Sequence, residues 1–201
     1  MILELFVDAN RCIGCRACEE ACSECPSHGG QTMIHVDFLQ RAVSVQSAPT
    51  VCMHCAEPAC ASVCPTDAIK IDAEGVVLSA AAERCIGCGN CAVACPFGVP
   101  TIHPGVELMM KCDLCYDRTS EGLAPMCATV CPSGALFYGT HEEVQDRRLA
   151  RPLDVFAFGD HVIATRNAVM VPAPPARIEV GAWSVPARSR AELQLEEALC
   201  D

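Results

Sequence analysis

The residues best suited to chemistry in this chain are its cysteines, 18 of 201 positions, and their spacing says more than their number. Sixteen of them fall into four groups of four. Cys12, Cys15, Cys18 and Cys22 read C-x2-C-x2-C-x3-C, and so do Cys85, Cys88, Cys91 and Cys95. Cys52, Cys55, Cys60 and Cys64 widen the middle gap to four residues; Cys112, Cys115, Cys127 and Cys131 widen it to eleven. A tight loop with Cys at every third position can wrap three thiolates around three irons of one cubane, and the fourth iron then needs a ligand from elsewhere. Pro follows the last Cys of three groups, at Pro65, Pro96 and Pro132, and its fixed φ turns the chain away from the loop.

Disulfides, zinc and iron–sulfur clusters are the chemistries open to so many thiols. A disulfide scaffold belongs to a small secreted chain, whereas this one is long and its start, MILELFVDANR, has no basic leader or twin arginine. Zinc needs two C-x2-C pairs per site and leaves the further cysteines surplus. The repeated spacing is that of the bacterial ferredoxin run, in which the fourth Cys serves the other cluster of a pair. Nine aromatic residues leave little ring packing to organise the interior. A formal charge of −11 disfavours nucleic acid or anionic membrane as partner, and no apolar run approaches the ~20 residues of a membrane span.

With its motifs RCIGCRACEEAC, VCMHCAEPACASVCPTDAI, RCIGCGNCAVACPFGVP and KCDLCYDRTSEGLAPMCATVCPSGAL, the chain from 1 to about 140 resembles the four-cluster iron–sulfur (polyferredoxin) subunits of dimethyl sulfoxide reductase-type molybdenum and tungsten oxidoreductases. The resemblance implies four 4Fe-4S clusters with crossed ligation. Cys131 would join Cys12, Cys15 and Cys18, and Cys22 would join Cys112, Cys115 and Cys127. Cys95 would join Cys52, Cys55 and Cys60, and Cys64 would join Cys85, Cys88 and Cys91. Cys25, followed by Pro26, is an alternative to Cys22, but relatives also lack Pro after the first group, which favours Cys22.

Internal repeats point to the elements that must hold these loops. CIGCRACEEAC at 12–22 returns as CIGCGNCAVAC at 85–95, and CPTDAIKI at 64 returns as CPSGALFY at 131. Short apolar runs flank the groups: ILELFV and GVVL before, AIKI and ALFY after. The repeating unit is strand, cluster loop, short helix, strand. The expected fold is therefore α+β, with two ferredoxin-like dicluster domains and a C-terminal extension. The family's pairing of the first group with the fourth and the second with the third puts domain one at 1–48 and 105–140. Domain two, 49–104, is inserted into it. In the remainder, 141–201, Thr140 with Glu143 predicts a capping box, VFAF and HVIATRNAVMV predict a hairpin turning at Gly159-Asp160, and Ser189 with Glu192 marks a second helix start. This tail is expected to dock on a partner or pack on the cluster domains.

Among other polar residues, His54 reads as a loop residue inside the second group and Met109 and Met110 as core. Lys111, one of two lysines, precedes Cys112 and is a candidate cation that would raise a neighbouring cluster's potential. Cys200 reads as a surface thiol. No nucleophile triad, Gly-rich phosphate loop or carboxylate pair stands out, so catalytic residues are expected to be none. The expected function is a one-electron relay for a large catalytic subunit of the molybdenum or tungsten pterin type, with a further electron-accepting or membrane-anchor subunit as a second partner. The alternatives are an autonomous polyferredoxin shuttle, or the same role beside a hydrogenase or carbon monoxide dehydrogenase. The expected compartment is the cytoplasm, or the periplasm by co-export with a partner.

Overall fold

A cysteine, glycine or proline every few residues leaves room only for short elements, and the longest regular segments lie beyond the last cysteine group. The computed structural model describes residues 3–40, 45–147 and 150–172. Strand β1 (Glu4–Val7) feeds the first group, whose last two members ride on α1 (Ala17–Ser23). A ribbon of β2 (His35–Gln40) and β3 (Val45–Thr50) follows, with His35 opposite Thr50. Helices α2 (Ala59–Ser62) and α3 (Asn90–Ala94) belong to the second and third groups, and the hairpin of β4 (Thr101–His103) and β5 (Leu108–Met110) leads into the fourth. That group carries α4 (Tyr116–Thr119) and α5 (Met126–Val130) and ends in β6 (Leu136–Gly139). Helix α6 (His141–Arg147) then precedes β7 (Ala150–Phe158) and β8 (His161–Pro172).

The flanking apolar runs behave unequally. ILELFV supplies β1 and ALFY supplies β6, which pair antiparallel with Leu5 opposite Tyr138. AIKI and GVVL form no strands; Ile71 and Val77 make an isolated bridge. The pair is held by scattered bonds such as Leu78 N–H to Lys70 O, 2.8 Å, rather than by a ladder. The capping box forms, with Glu143 N–H donating to Thr140 Oγ1 at 3.2 Å and Thr140 N–H to Glu143 Oε2 at 2.9 Å. The expected domain boundary at 48/49 falls inside β3, and that at 104/105 falls in the turn of the β4–β5 hairpin. The Ser189 helix start and Cys200 lie outside the described residues.

The β7–β8 hairpin packs on the cysteine-bearing body. Its strand β8 enters a sheet of order β6-β1-β8-β7, running parallel to β1 with Phe6 opposite Ala168. A few residues earlier the same strand lies against the second cysteine loop, where Arg166 N–H donates to His54 O at 2.9 Å and Ala56 N–H donates to Ala164 O at 2.9 Å. Phe97, just after the third group, packs edge-on against Phe156 and Phe158 of the hairpin. The core is aliphatic and sulfur-rich: Leu5, Val7, Met33, Ile34, Val51 and Val76 pack among Cys18, Cys22, Cys52, Cys112 and Cys127.

Asn167 joins these parts. It is fully buried; the Leu5 N–H donates to its Oδ1 at 3.2 Å, and its Nδ2 donates to Cys52 O at 2.7 Å. Asn167→Ala strands a buried donor on β1 and a buried acceptor in the second cysteine loop, and the expected cost is about 1–3 kcal/mol for each. Thermal unfolding of the anaerobic, iron-loaded protein followed by circular dichroism should report it, and an unchanged midpoint would contradict the clamp.

Candidate metal centres

Each C-x2-C loop bends at the same place. The residue two after the first Cys has left-handed backbone in all four groups: Gly14 (φ 70°), His54 (48°), Gly87 (64°) and Leu114 (60°). At Gly14 an added Cβ would lie 3.1 Å from Phe38 Cε1, and at Gly87 it would lie 3.1 Å from the Glu107 carbonyl oxygen. His54 and Leu114 take the same turn despite their side chains, at a cost of about 1–2 kcal/mol. Both are 1 % exposed, so packing on every side holds them there.

The C-x3-C ends use helical periodicity, which sets residues four apart on one face a turn from each other. Cys18 and Cys22 lie on α1; Cys60 is on α2 with Cys64 just beyond; Cys91 and Cys127 are on α3 and α5, whose C-caps are Cys95 and Cys131. Helix α1 packs on α5 and α2 on α3, so thiols of groups distant in sequence come near one another. One recess is lined by Cys12, Cys15, Cys18 and Cys131, and a second by Cys64, Cys85, Cys88 and Cys91. Cys55 is surrounded by Cys52, Cys60 and Cys95. Cys127 faces Cys22 and Cys18, and Cys112 faces Cys127 and Cys52. Cys115 neighbours Cys127 and also Cys25, a buried thiol that donates to Asp117 Oδ1 at 3.3 Å.

These thiols resist ionisation. Burial, reinforced by neighbouring sulfur, pushes Cys55 up to about 11 and Cys127 up to about 12, and raises Cys112 and Cys115 as well. Cys18 rises to about 11 through burial and Glu19. Groups of thiols that suppress one another's charge suit a multivalent metal centre, which reverses the sign of the local field and takes the place of the protons. Backbone N–H groups already point at sulfur: Met33 to Cys22 at 3.2 Å, Leu114 to Cys112 at 3.4 Å and Leu136 to Cys131 at 3.5 Å. All seventeen cysteines among the described residues are free thiols. The donor set fits iron–sulfur clusters.

The other polar candidates are more buried than their loop positions suggested. His54 accepts from the Val77 N–H through Nδ1 at 3.0 Å, which leaves the ring proton on Nε2, where no hydrogen-bond partner is found. Burial, then Lys111 and Arg166, hold its pKa well below the usual histidine range. Lys111 is buried; its Nζ donates to Val77 O and, at 3.1 Å, to Cys112 O, and its charge opposes the rise of the Cys60 thiol. Met109 is core and lines the Cys64 recess. Spacing gave no hint of His28. Its Nε2 lies 3.1 Å from Asp113 Oδ1, and its Nδ1 lies 2.7 Å from Cys22 O and 3.3 Å from Cys22 Sγ. Burial alone would lower its pKa, but Asp113 and Cys22 outweigh it and raise the ring to about 11. The nearest sequence cue is the Gly29-Gly30 pair that lets the chain double back behind Cys22.

Comparison with known proteins agrees with this chemistry. Residues 43–141 match the family model of a 4Fe-4S dicluster domain, and residues 4–24 match that of a 4Fe-4S binding domain. The sequence is 34% identical over 155 residues to the B subunit of the anaerobic dimethyl sulfoxide reductase of Escherichia coli, covering 71% of this protein and 75% of that subunit. It is 33% identical over 168 residues to the formate dehydrogenase iron-sulfur subunit of Haemophilus influenzae, covering 70% of this protein and 52% of the relative. The formate dehydrogenase-O iron-sulfur subunit of Escherichia coli is 32% identical over 161 residues, with coverage of 70% and 54%. The chain thus spans about half the length of the formate dehydrogenase relatives. Among the described residues no helix is long and apolar enough to cross a membrane.

The glycines of the third loop separate two costs. Gly87 and Gly89 both have positive φ, but a Cβ at Gly89 meets open space whereas one at Gly87 meets backbone. Gly89→Ala should cost about 1–2 kcal/mol in backbone strain. Gly87→Ala should cost measurably more, read as a lower thermal midpoint and faster iron release to a chelator; equal behaviour would refute the contact.

Proposed function

The chain belongs to the family of iron–sulfur subunits built on 4Fe-4S dicluster domains, and on that premise we propose that it relays single electrons between a catalytic oxidoreductase subunit and a redox acceptor or donor. The number of clusters proposed is four, with the sixteen grouped cysteines as ligands. Cys12, Cys15, Cys18 and Cys131 would hold one, and Cys22, Cys112, Cys115 and Cys127 the next. Cys52, Cys55, Cys60 and Cys95 would hold a third, and Cys64, Cys85, Cys88 and Cys91 the last. The observation that carries this reading is the pair of recesses in which three thiols of one group meet a single thiol from another, Cys131 in one and Cys64 in the other. The nested arrangement of two ferredoxin-like domains follows from the same pairing, with α1 against α5 and α2 against α3 as its support.

When bound, a cubane of this kind supplies a one-electron couple; what the chain supplies is ligands, order and insulation. Cys127 stands between the first and second sets, since it faces both Cys18 and Cys22, and Cys112 connects onward to Cys52. Sets that adjoin in this order suit a wire. Cys15 and Cys88, in its outermost sets, are exposed, and beside them Ile13 and Ile86 are 67% and 65% exposed, which suits contact with donors and acceptors. The middle sets are wrapped by Val51, Val76 and Leu114, which exclude water, while the buried Lys111 favours added negative charge on the Cys60 side. The chain is proposed as a carrier with no substrate site of its own. The catalytic partner proposed is of the molybdenum or tungsten pterin type, on the resemblance of the cysteine motifs and the names of the relatives. The compartment proposed is the cytoplasm, because sixteen thiol ligands need a reducing milieu before iron is inserted.

Two measurements test this. Protein purified without oxygen should contain about 16 iron and about 16 inorganic sulfide per chain; stoichiometric zinc with little iron would overturn the reading. Crossed ligation is tested by electron paramagnetic resonance during redox titration. Cys22→Ala should alter the same reduced signal as Cys115→Ala and spare the one altered by Cys12→Ala, whereas a match with Cys12→Ala would reject the pairing.

A further inference from the structure

The contacts of His28 are not explained by holding the fold alone. The ring is 2 % exposed, and both its nitrogens face acceptors: Nε2 the Asp113 carboxylate at 3.1 Å, Nδ1 the Cys22 carbonyl at 2.7 Å with Cys22 Sγ at 3.3 Å. Nδ1 thus stands as a hydrogen-bond donor towards Cys22, with Nε2 anchored on Asp113. Asp113 is fixed in turn, because its Oδ1 also accepts the Cys115 N–H at 3.0 Å. His28 therefore spans the last thiol of the first group and the C-x2-C loop of the fourth, which are distant in sequence. No equivalent histidine bridge reaches the other three proposed sets among the described residues: His54 bonds backbone, and the half-buried His103 pairs with Gln31.

We infer that His28 is a positioning residue that fixes Cys22 through a hydrogen bond from Nδ1 shared by its carbonyl oxygen and its Sγ, and that it raises the reduction potential of one centre only, the one Cys22 serves. This rests on the proposed assignment of Cys22 to the set of Cys112, Cys115 and Cys127. The physical basis is electrostatic. Reduction adds a negative charge that is shared with the ligating sulfurs, so a hydrogen-bond donor beside one sulfur favours the reduced state. The Met33 N–H gives Cys22 a second donor, which His28 replacement leaves in place. Cys25 lies in the same pocket, its sulfur and one nitrogen of His28 both within 4.8 Å of Cys115 Sγ, but its proton goes to Asp117.

The test is redox titration of the full chain, iron-loaded, by electron paramagnetic resonance. The variants are His28→Leu, which removes the ring's hydrogen bonds, and His28→Asn, whose Nδ2 can take the place of Nδ1 towards Cys22. Both variants should keep the wild-type iron content. In His28→Leu the midpoint of the signal altered by Cys115→Ala should move negative by a factor of about ten in the reduction equilibrium, or about 59 mV for a one-electron couple. In His28→Asn it should move less, and the other midpoints should stay. If the signal that moves is the one altered by Cys12→Ala, the ligand assignment is wrong while the role of His28 stands. Full iron with no midpoint moved would overturn the role of His28 and leave the assignment intact. Loss of one centre in both variants would reduce His28 to a structural brace and also overturn the inference.

Discussion

Thiolate charge in a dry interior is the constraint on which the rest of this structure depends. A buried thiol holds its proton because ionisation in low dielectric is costly, and a second thiol nearby raises that cost. Cys52, Cys60, Cys112 and Cys127 are buried among aliphatic side chains, in an arrangement that apoprotein alone would be poor at tolerating once charged. A centre carrying iron inverts the balance, because it binds the thiolate form and disperses its charge. The same burial that makes the free thiols unreactive keeps water from a bound centre and holds neighbouring sets close together.

That constraint explains the backbone. Neighbouring thiols three residues apart must converge on one point, which needs a sharp turn inside each C-x2-C loop, and the chain makes it with left-handed φ at the same position four times. Two of these positions are Gly; at His54 and Leu114 the strain is held by full burial, and the peptide and ring of His54 are further pinned by Arg166 and Val77. The helices at the C-x3-C ends are short because they have one task, to place two sulfurs a turn apart. Four or five residues are enough, and none of these helices would be stable alone.

Short elements need an external tie, and β8 provides it. Its residues touch β1 through Ala168 and the second cysteine loop through Ala164 and Arg166, while Asn167 reaches into both. Arg166 adds bonds to Leu3 O at 2.9 Å and to Glu74 O. A segment that follows all four cysteine groups in the chain thus secures the loops that precede it.

Cysteine spacing carried the chemistry without help from the fold, because the ligand geometry of a cubane restricts how far apart three thiols of one loop can be. Local turn and capping chemistry was equally legible: Thr140 with Glu143 makes its capping box, and Gly159-Asp160 closes its hairpin. Which thiols are neighbours is another matter. The meeting of Cys131 with Cys12, and of Cys64 with Cys85, comes from packing α1 on α5 and α2 on α3, contacts between segments up to about 120 residues apart that leave no periodic trace in the chain. AIKI and GVVL had the composition of strands, yet the fold leaves them an isolated bridge and scattered backbone bonds. His28, Asp113 and Asn167 were invisible for the same reason. Each is an ordinary polar residue in sequence, and it acquires a role only where folding buries it against the backbone or thiol of a distant segment and leaves it a single set of partners.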